Sequence, residues 1–182
     1  IVGTATTTSG DAPLHNAEWE LWGCNELGAR LEGDWAAWFN LHTFDEIPPQ
    51  NVQWLADQDV TVYMLAPHPD IPQSIAYPFA EVSKVFTRDY WASSIAYMLA
   101  LGVVRGYKSV GIWGVDMAVD SEYEYQRPNC EYLIGKAEGL GIQVYVPQES
   151  RLLRVPWRYG YEPAPNGAQR AYKDSLVRER EK

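Results

Sequence analysis

The chain is poor in the residues that build metal and thiol chemistry, with two cysteines and three histidines in 182 residues. Neither Cys24 nor Cys130 belongs to a Cys-x-x-Cys pair, and no His-x-x-x-His spacing accompanies them, which excludes an ordinary zinc site. Both cysteines stand among apolar neighbours inside expected elements and read as buried free thiols. Long apolar runs are missing too: Gly, Ser, Arg or Lys interrupts every stretch well before the roughly 20 residues that a membrane span requires. No membrane partner is expected. Positive charge is scarce, since 15 Lys and Arg against 24 Asp and Glu leave a formal charge of −9. That balance argues against nucleic acid as a partner. The glycine fingerprint of dinucleotide sites, the P-loop and the nucleophile elbow of serine hydrolases are all absent. The chain opens on Ile1-Val2-Gly3 with no charged-then-apolar leader, so the cytoplasm is the expected compartment, and a strand already under way at Ile1 implies residues upstream.

What is present is an ordinary globular composition, 46% hydrophobic and 21% charged, enough for one domain with a full core. Short runs rich in aromatic or β-branched residues, Trp19 to Cys24, Trp35 to His42 and Val60 to Leu65, are bounded by turn formers and read as strands. Asp89 to Arg105 has the length and spacing of a well-buried helix closed by Gly106. The apolar run Ser109 to Val115 reads as a central parallel strand. A further helix is expected to start near Pro128, with Cys130, Leu133, Ile134 and Ala137 on its inner face, followed by a strand over Ile142 to Val146. This alternation predicts an α/β fold, a Rossmann-like, mostly parallel sheet with helices on both faces. The expected domain covers residues 1–155. Residues 156–182 read as an aromatic arm around Trp157, packing over the sheet, and a charged tail, Gln169 to Lys182, that forms an exposed helix.

In such sheets ligands bind beyond the carboxyl ends of the strands, where the strand order reverses. Four segments are expected to converge there. The loop from Gly3 to Asp11 offers small residues, backbone N–H groups and the hydroxyls of Thr8 and Ser9 to an anion; it reads equally as a Thr-rich surface turn. Asn25, at the end of the next strand, suits a base edge or a ribose hydroxyl, or simply ends the strand. Ser93 and Ser94 stand in the first turn of the buried helix, where hydroxyls and unpaired N–H groups favour phosphate, or where they only cap. The stretch Asp116 to Arg127 is dense in acidic, tyrosine and amide side chains. Asp116 and Asp120 are candidate Mg²⁺ ligands; Asp116, Glu122 and Glu124 are candidate bases; Gln126 and Arg127 are candidate nucleotide contacts. The bland reading of the same stretch is a solvated acidic loop. His42 ends an aromatic strand beside the same crevice and is a further acid–base candidate, or a structural cap.

The order of these elements, Ile1-Val2-Gly3 with its polar loop, Gly23-Cys24-Asn25-Glu26, Ser93 to Ala100, and Gly106 to Asp116, resembles a nucleotide-binding superfamily. It is the one containing bacterial sialyltransferases that use CMP-sialic acid and archaeal 6-hydroxymethylpterin diphosphokinases. The resemblance spans roughly residues 1–155 and implies nucleotide contacts at Gly3 with Thr8 or Ser9, at Asn25 and at Ser93 with Ser94, with Asp116 ending the aliphatic strand. Tyr132 to Leu153 fits the closing helix and strand. Glu122 to Arg127 contains no histidine, where those transferases carry a catalytic one, and the first loop has Thr and Ala in place of Gly-Pro-Ser. The chain also resembles small phage-encoded proteins with an aromatic strand ending in Leu-His, as Leu41-His42 does here. Two functions follow: transfer of a sugar or diphosphate group from a nucleotide or nucleotide-sugar donor, or nucleotide binding without turnover by a sequestering or regulatory phage protein.

Overall fold

The computed structural model describes residues 1–117, 123–155, 158, 159 and 161, with backbone alone at Ala29 and Tyr123. The chain divides into a compact unit, Ile1–Leu152, and a second unit, Leu153–Lys182. Among the described residues every helix and strand belongs to the first. Trp157 of the expected arm, and the whole expected tail helix, lie outside the described residues.

Strands β1 (Leu21–Cys24), β2 (Trp35–Asn40), β3 (Thr61–Met64) and β4 (Ser74–Ala76) form a four-stranded parallel sheet in that order. Strands β5 (Ser109–Gly111) and β6 (Gln143–Tyr145) pair in parallel. The segment Ile1–Gly3 joins the two groups, because Val2 bridges Gly23 on one side and Trp113 on the other, both in parallel. The Val2 N–H donates to the Trp22 carbonyl at 2.9 Å, the Gly3 N–H to the Trp113 carbonyl at 2.8 Å, and the Trp113 N–H to the Ile1 carbonyl at 3.0 Å. The strands therefore run β6, β5, Ile1–Gly3, β1, β2, β3, β4, and the order reverses at Ile1–Gly3.

Side chains alternate across this sheet as strand geometry requires. Phe39 enters one core with Trp22, Tyr63 and the helices α2 (Phe79–Val82), α3 (Ser94–Val104) and α4 (Tyr123–Gly139). Trp38, its neighbour in β2, enters the other with Leu21, Val62, Leu27 of the 3₁₀ turn Asn25–Ala29 and Leu55 of α1 (Pro49–Ala56). Helices thus cover both faces of a parallel α/β sheet, as the alternation in the sequence predicts. Helix α3 is buried on nearly every side, with Met98, Leu99 and Leu101 at 0% exposure; each such side chain contributes roughly 1.5–3 kcal/mol by burial. The two cysteines are free and buried.

Several boundaries differ from the sequence reading. The buried helix starts at Ser94 rather than Asp89, because Ser93 is extended (φ −157, ψ 151) and its side chain caps the Ala96 N–H. Gly106 follows the C-cap Arg105 with φ +80, the left-handed turn that ends a helix. The next helix starts at Tyr123 and carries Pro128 inside it. Pro128 denies the Glu124 carbonyl its usual donor, and both residues are on the exposed side of the helix, where this costs least. Cys130, Leu133, Ile134 and Ala137 are buried as its spacing predicts. Helix α1 and strand β4 have no counterpart in the sequence reading. Pro49 stands at the start of α1, and β4 is only three residues long.

At the reversal the backbones of Gly3 and Gly114 touch. A Cβ on either would collide with the other's carbonyl, and Gly114 holds φ +64. Both positions therefore require glycine.

Candidate functional site

The close approach of Gly3 to Gly114 opens, on the carboxyl side of the strands, into a crevice of about 830 Å³. Its floor is the start of the first loop, Gly3 to Thr6, with Gly114 to Met117. One wall is Cys24 and Asn25 at the end of β1 with Leu41 and His42 beyond β2; another is Trp91 to Ile95 with Tyr97; Gln126 of α4 also lines it. A second hollow, of about 750 Å³, lies at the opposite ends of the strands, around Ile1, Trp22 and Tyr107. The carboxyl-end crevice is the candidate site, because helix N-termini and strand-end loops converge at that end of a parallel sheet.

Of the residues singled out in the sequence, Gly3, Asn25, His42, Ser93, Ser94, Asp116 and Gln126 come together on this crevice. Thr8 and Ser9 do not line it. Thr8 is 1% exposed and its Oγ1 accepts from the Gly114 N–H at 2.8 Å, so it fastens the loop to the strand end from below. Ser9 is buried beside it. Arg127 does not line the crevice either; its Nε lies 2.9 Å from Glu131 Oε1, one helical turn along. Glu124 is exposed on the first turn of α4, away from the crevice lining. Asp120 and Glu122 lie outside the described residues.

Asp116 is engaged on both carboxylate oxygens. Thr7 Oγ1 donates to Oδ2 at 2.7 Å, and the Arg151 N–H points to Oδ1 at 3.3 Å. Ser150 donates to the Val115 carbonyl at 2.6 Å next to it. Asp116 thus ties the first loop, the end of the central strand and the segment before Leu152 into one edge of the crevice. Among the described residues no group of three or more His, Cys, Asp and Glu is placed to hold a metal ion. Asp116 is the described half of the expected Mg²⁺ pair, and each of its oxygens already accepts one hydrogen bond.

Two crevice residues other than glycine have left-handed backbones, Asn25 at φ +53 and Met117 at φ +47. Asparagine adopts this conformation readily, whereas Met117 is strained there. Strain of this kind concentrates at ligand sites, where the surrounding structure holds it in place. The Asn25 Oδ1 is buried without a hydrogen-bond partner. Asn40, at the end of β2 and 3% exposed, has an unpartnered Oδ1 as well, although it points, like Trp38, to the opposite face.

Sequence reasoning missed the apolar wall of the crevice. Trp91 falls within the expected buried helix, yet it stands ahead of α3, outside any helix or strand, its ring 4.9 Å from that of Tyr97 and 5.4 Å from that of Phe79. Burial, and secondarily the charge of Asp89, raises the Tyr97 phenol above its ordinary range. Burial pushes the Cys24 thiol up to about 12, so it stays protonated and offers no nucleophile. No local signal in the sequence separates Trp91 from the helix that follows it, because the amide that holds its neighbours belongs to Asn129.

Among the described residues no helix is long and apolar enough to cross a membrane. Comparison with protein-family models, with curated proteins and with solved structures returns no match for this chain.

Proposed function

We propose that the chain binds a nucleotide or nucleotide-sugar in the carboxyl-end crevice and transfers a sugar or diphosphate group from it. The observation that carries this reading is the convergence of the Gly3 loop, Asn25, the Ser93-Ser94 helix start and Asp116 on one crevice at the strand-order reversal. Phosphate oxygens meet N–H donors of the first loop and of the first turn of α3, whose dipole favours negative charge. Trp91 and Tyr97 offer an apolar wall to a base or sugar ring. Transfer then consists of attack by an acceptor hydroxyl on the donor's sugar carbon or phosphorus. The bond to the leaving nucleotide phosphate breaks, the N–H groups stabilise its charge, and His42 accepts the hydroxyl proton.

The second reading, nucleotide binding without turnover, is favoured by one feature. Asp116 spends both carboxylate oxygens on Thr7 and Arg151, which makes it a fastener rather than a base.

A thermal-shift screen against CMP, CDP, UDP, GDP, ATP, NAD and common nucleotide sugars, with and without Mg²⁺, tests the binding step. A ligand at about 100 times its dissociation constant adds roughly 2.7 kcal/mol, about 5 to 10 °C for a domain of this size. A flat panel overturns the nucleotide reading. With a hit in hand, a His42→Asn variant that binds equally but turns over at least about 100-fold more slowly supports transfer; unchanged turnover removes His42 from the mechanism.

A further inference from the structure

Helix α4 contains a residue that is polar, fully buried and used at both ends. Asn129 is 0% exposed. Its Oδ1 accepts from the Ala92 N–H at 2.9 Å, and its Nδ2 donates to the Tyr90 carbonyl at 2.6 Å. These two backbone groups flank Trp91, so the side-chain amide takes the place that the peptide group of a neighbouring strand would occupy. One turn further along α4, the ring of Tyr132 lies 5.9 Å from that of Tyr90. The segment held in this way runs straight into Ser93, whose extended backbone and side chain cap α3. Trp91, Ala92, Ser93 and Ser94 all line the crevice.

Burying an amide is unfavourable unless it finds hydrogen-bond partners, and here one short stretch of backbone supplies a partner to its oxygen and another to its nitrogen. That stretch has no strand partner of its own, since it lies in none of the sheet pairings. Its backbone geometry is therefore set from α4. We propose that Asn129 is the positioning residue of the crevice, its amide clamping the Tyr90 carbonyl and the Ala92 N–H and so setting Trp91, Ser93 and Ser94 on the wall. That this wall takes a nucleotide rests on the reading above; the clamp itself does not.

The test uses the full chain and residue-resolved hydrogen exchange, with CMP as the binding probe. Asn129→Ala is compared with Cys130→Ala, a neighbouring α4 position that is also 0% exposed, whereas the bonds to the clamped backbone groups are those of Asn129. The expected result is that Asn129→Ala speeds exchange of the Ala92 amide at least about 30-fold beyond any change at Leu133 to Ala137, and weakens CMP about tenfold. Cys130→Ala leaves both readouts near wild type once global stability is matched. Equal effects of the two substitutions overturn the proposal by reducing Asn129 to a packing role. If Asn129→Ala does not fold, the wild type still decides: an Ala92 amide that exchanges as fast as an exposed loop amide overturns the clamp, and protection comparable to the sheet supports it. A wild-type chain that binds no nucleotide overturns the nucleotide reading, and the exchange comparison then judges the clamp alone.

Discussion

Gly114 carries two constraints at once, a left-handed backbone at φ +64 and a neighbouring carbonyl, that of Gly3, where a side chain would go. Gly106 carries only the first, at φ +80 with open space around it. The two separate conformational strain from collision. Gly106→Ala should lose ~1 kcal/mol and Gly114→Ala ~3 kcal/mol or more, read from urea midpoints at constant slope; equal losses would mean that the backbones at the reversal are not in contact. The thiols give a second residue-scale expectation. Burial pushes both Cys24 and Cys130 from an ordinary 9 up to about 12. A thiol whose pKa is higher in the folded than in the unfolded chain contributes stability that is complete below the unfolded value and lost as pH rises through the folded one. The chain should therefore weaken progressively above pH about 9, and a disulfide reagent at pH 8 should leave both thiols unmodified until denaturant is added. Rapid native modification of either would contradict its burial.

At the scale of elements, much of the architecture is legible in the sequence because period and punctuation agree. Helix α3 is apolar all round and ends at a glycine, and the inner face of α4 repeats at helical spacing. The starts of both helices were not legible, and for different reasons. The Asp89–Ala92 stretch fits a helix by composition, but its backbone is captured by Asn129, a tertiary contact from thirty-odd residues away that no local signal reports. Pro128 reads as a first helical position, whereas the structure carries it inside α4 on an exposed face. The candidate site shows the same division. The polar loop residues that reach the crevice were found by their place at strand ends, while Thr8 and Ser9 turned inward to hold the loop and the aromatic wall went unseen. The cap joins element to site. Ser93→Ala removes the acceptor that Ala96 N–H uses at 3.2 Å and should lower stability by ~1 kcal/mol. If the helix start also binds phosphate, the same variant weakens nucleotide affinity by more than that loss conveys; an unchanged affinity would place the ligand elsewhere in the crevice.

For the whole unit, everything hinges on the three residues at the strand-order reversal. The β5–β6 pair and the four-stranded sheet share no ladder with each other among the described residues, and Ile1–Gly3 bonds to both. Ile1 contributes to the core under α3 and α4, and Val2, at 0% exposure, to the core on the α1 face. Two layers and two groups of strands are therefore coupled through one short segment, whose far end is also the floor of the crevice. If that coupling is strong, far-UV and near-UV signals should follow one unfolding transition. Val2→Ala should then lower stability by ~2 kcal/mol without changing the denaturant slope, by creating a cavity in the α1-side core. Hydrogen exchange sharpens the argument, since amides of β5 and β6 and amides of β1 and β2 should accelerate together in this variant, each by the factor that matches the global loss. Acceleration confined to β5 and β6 would show that the pair opens as its own unit. The crevice would then have one mobile wall at Asp116, and ligand binding would have to close it before any transfer began.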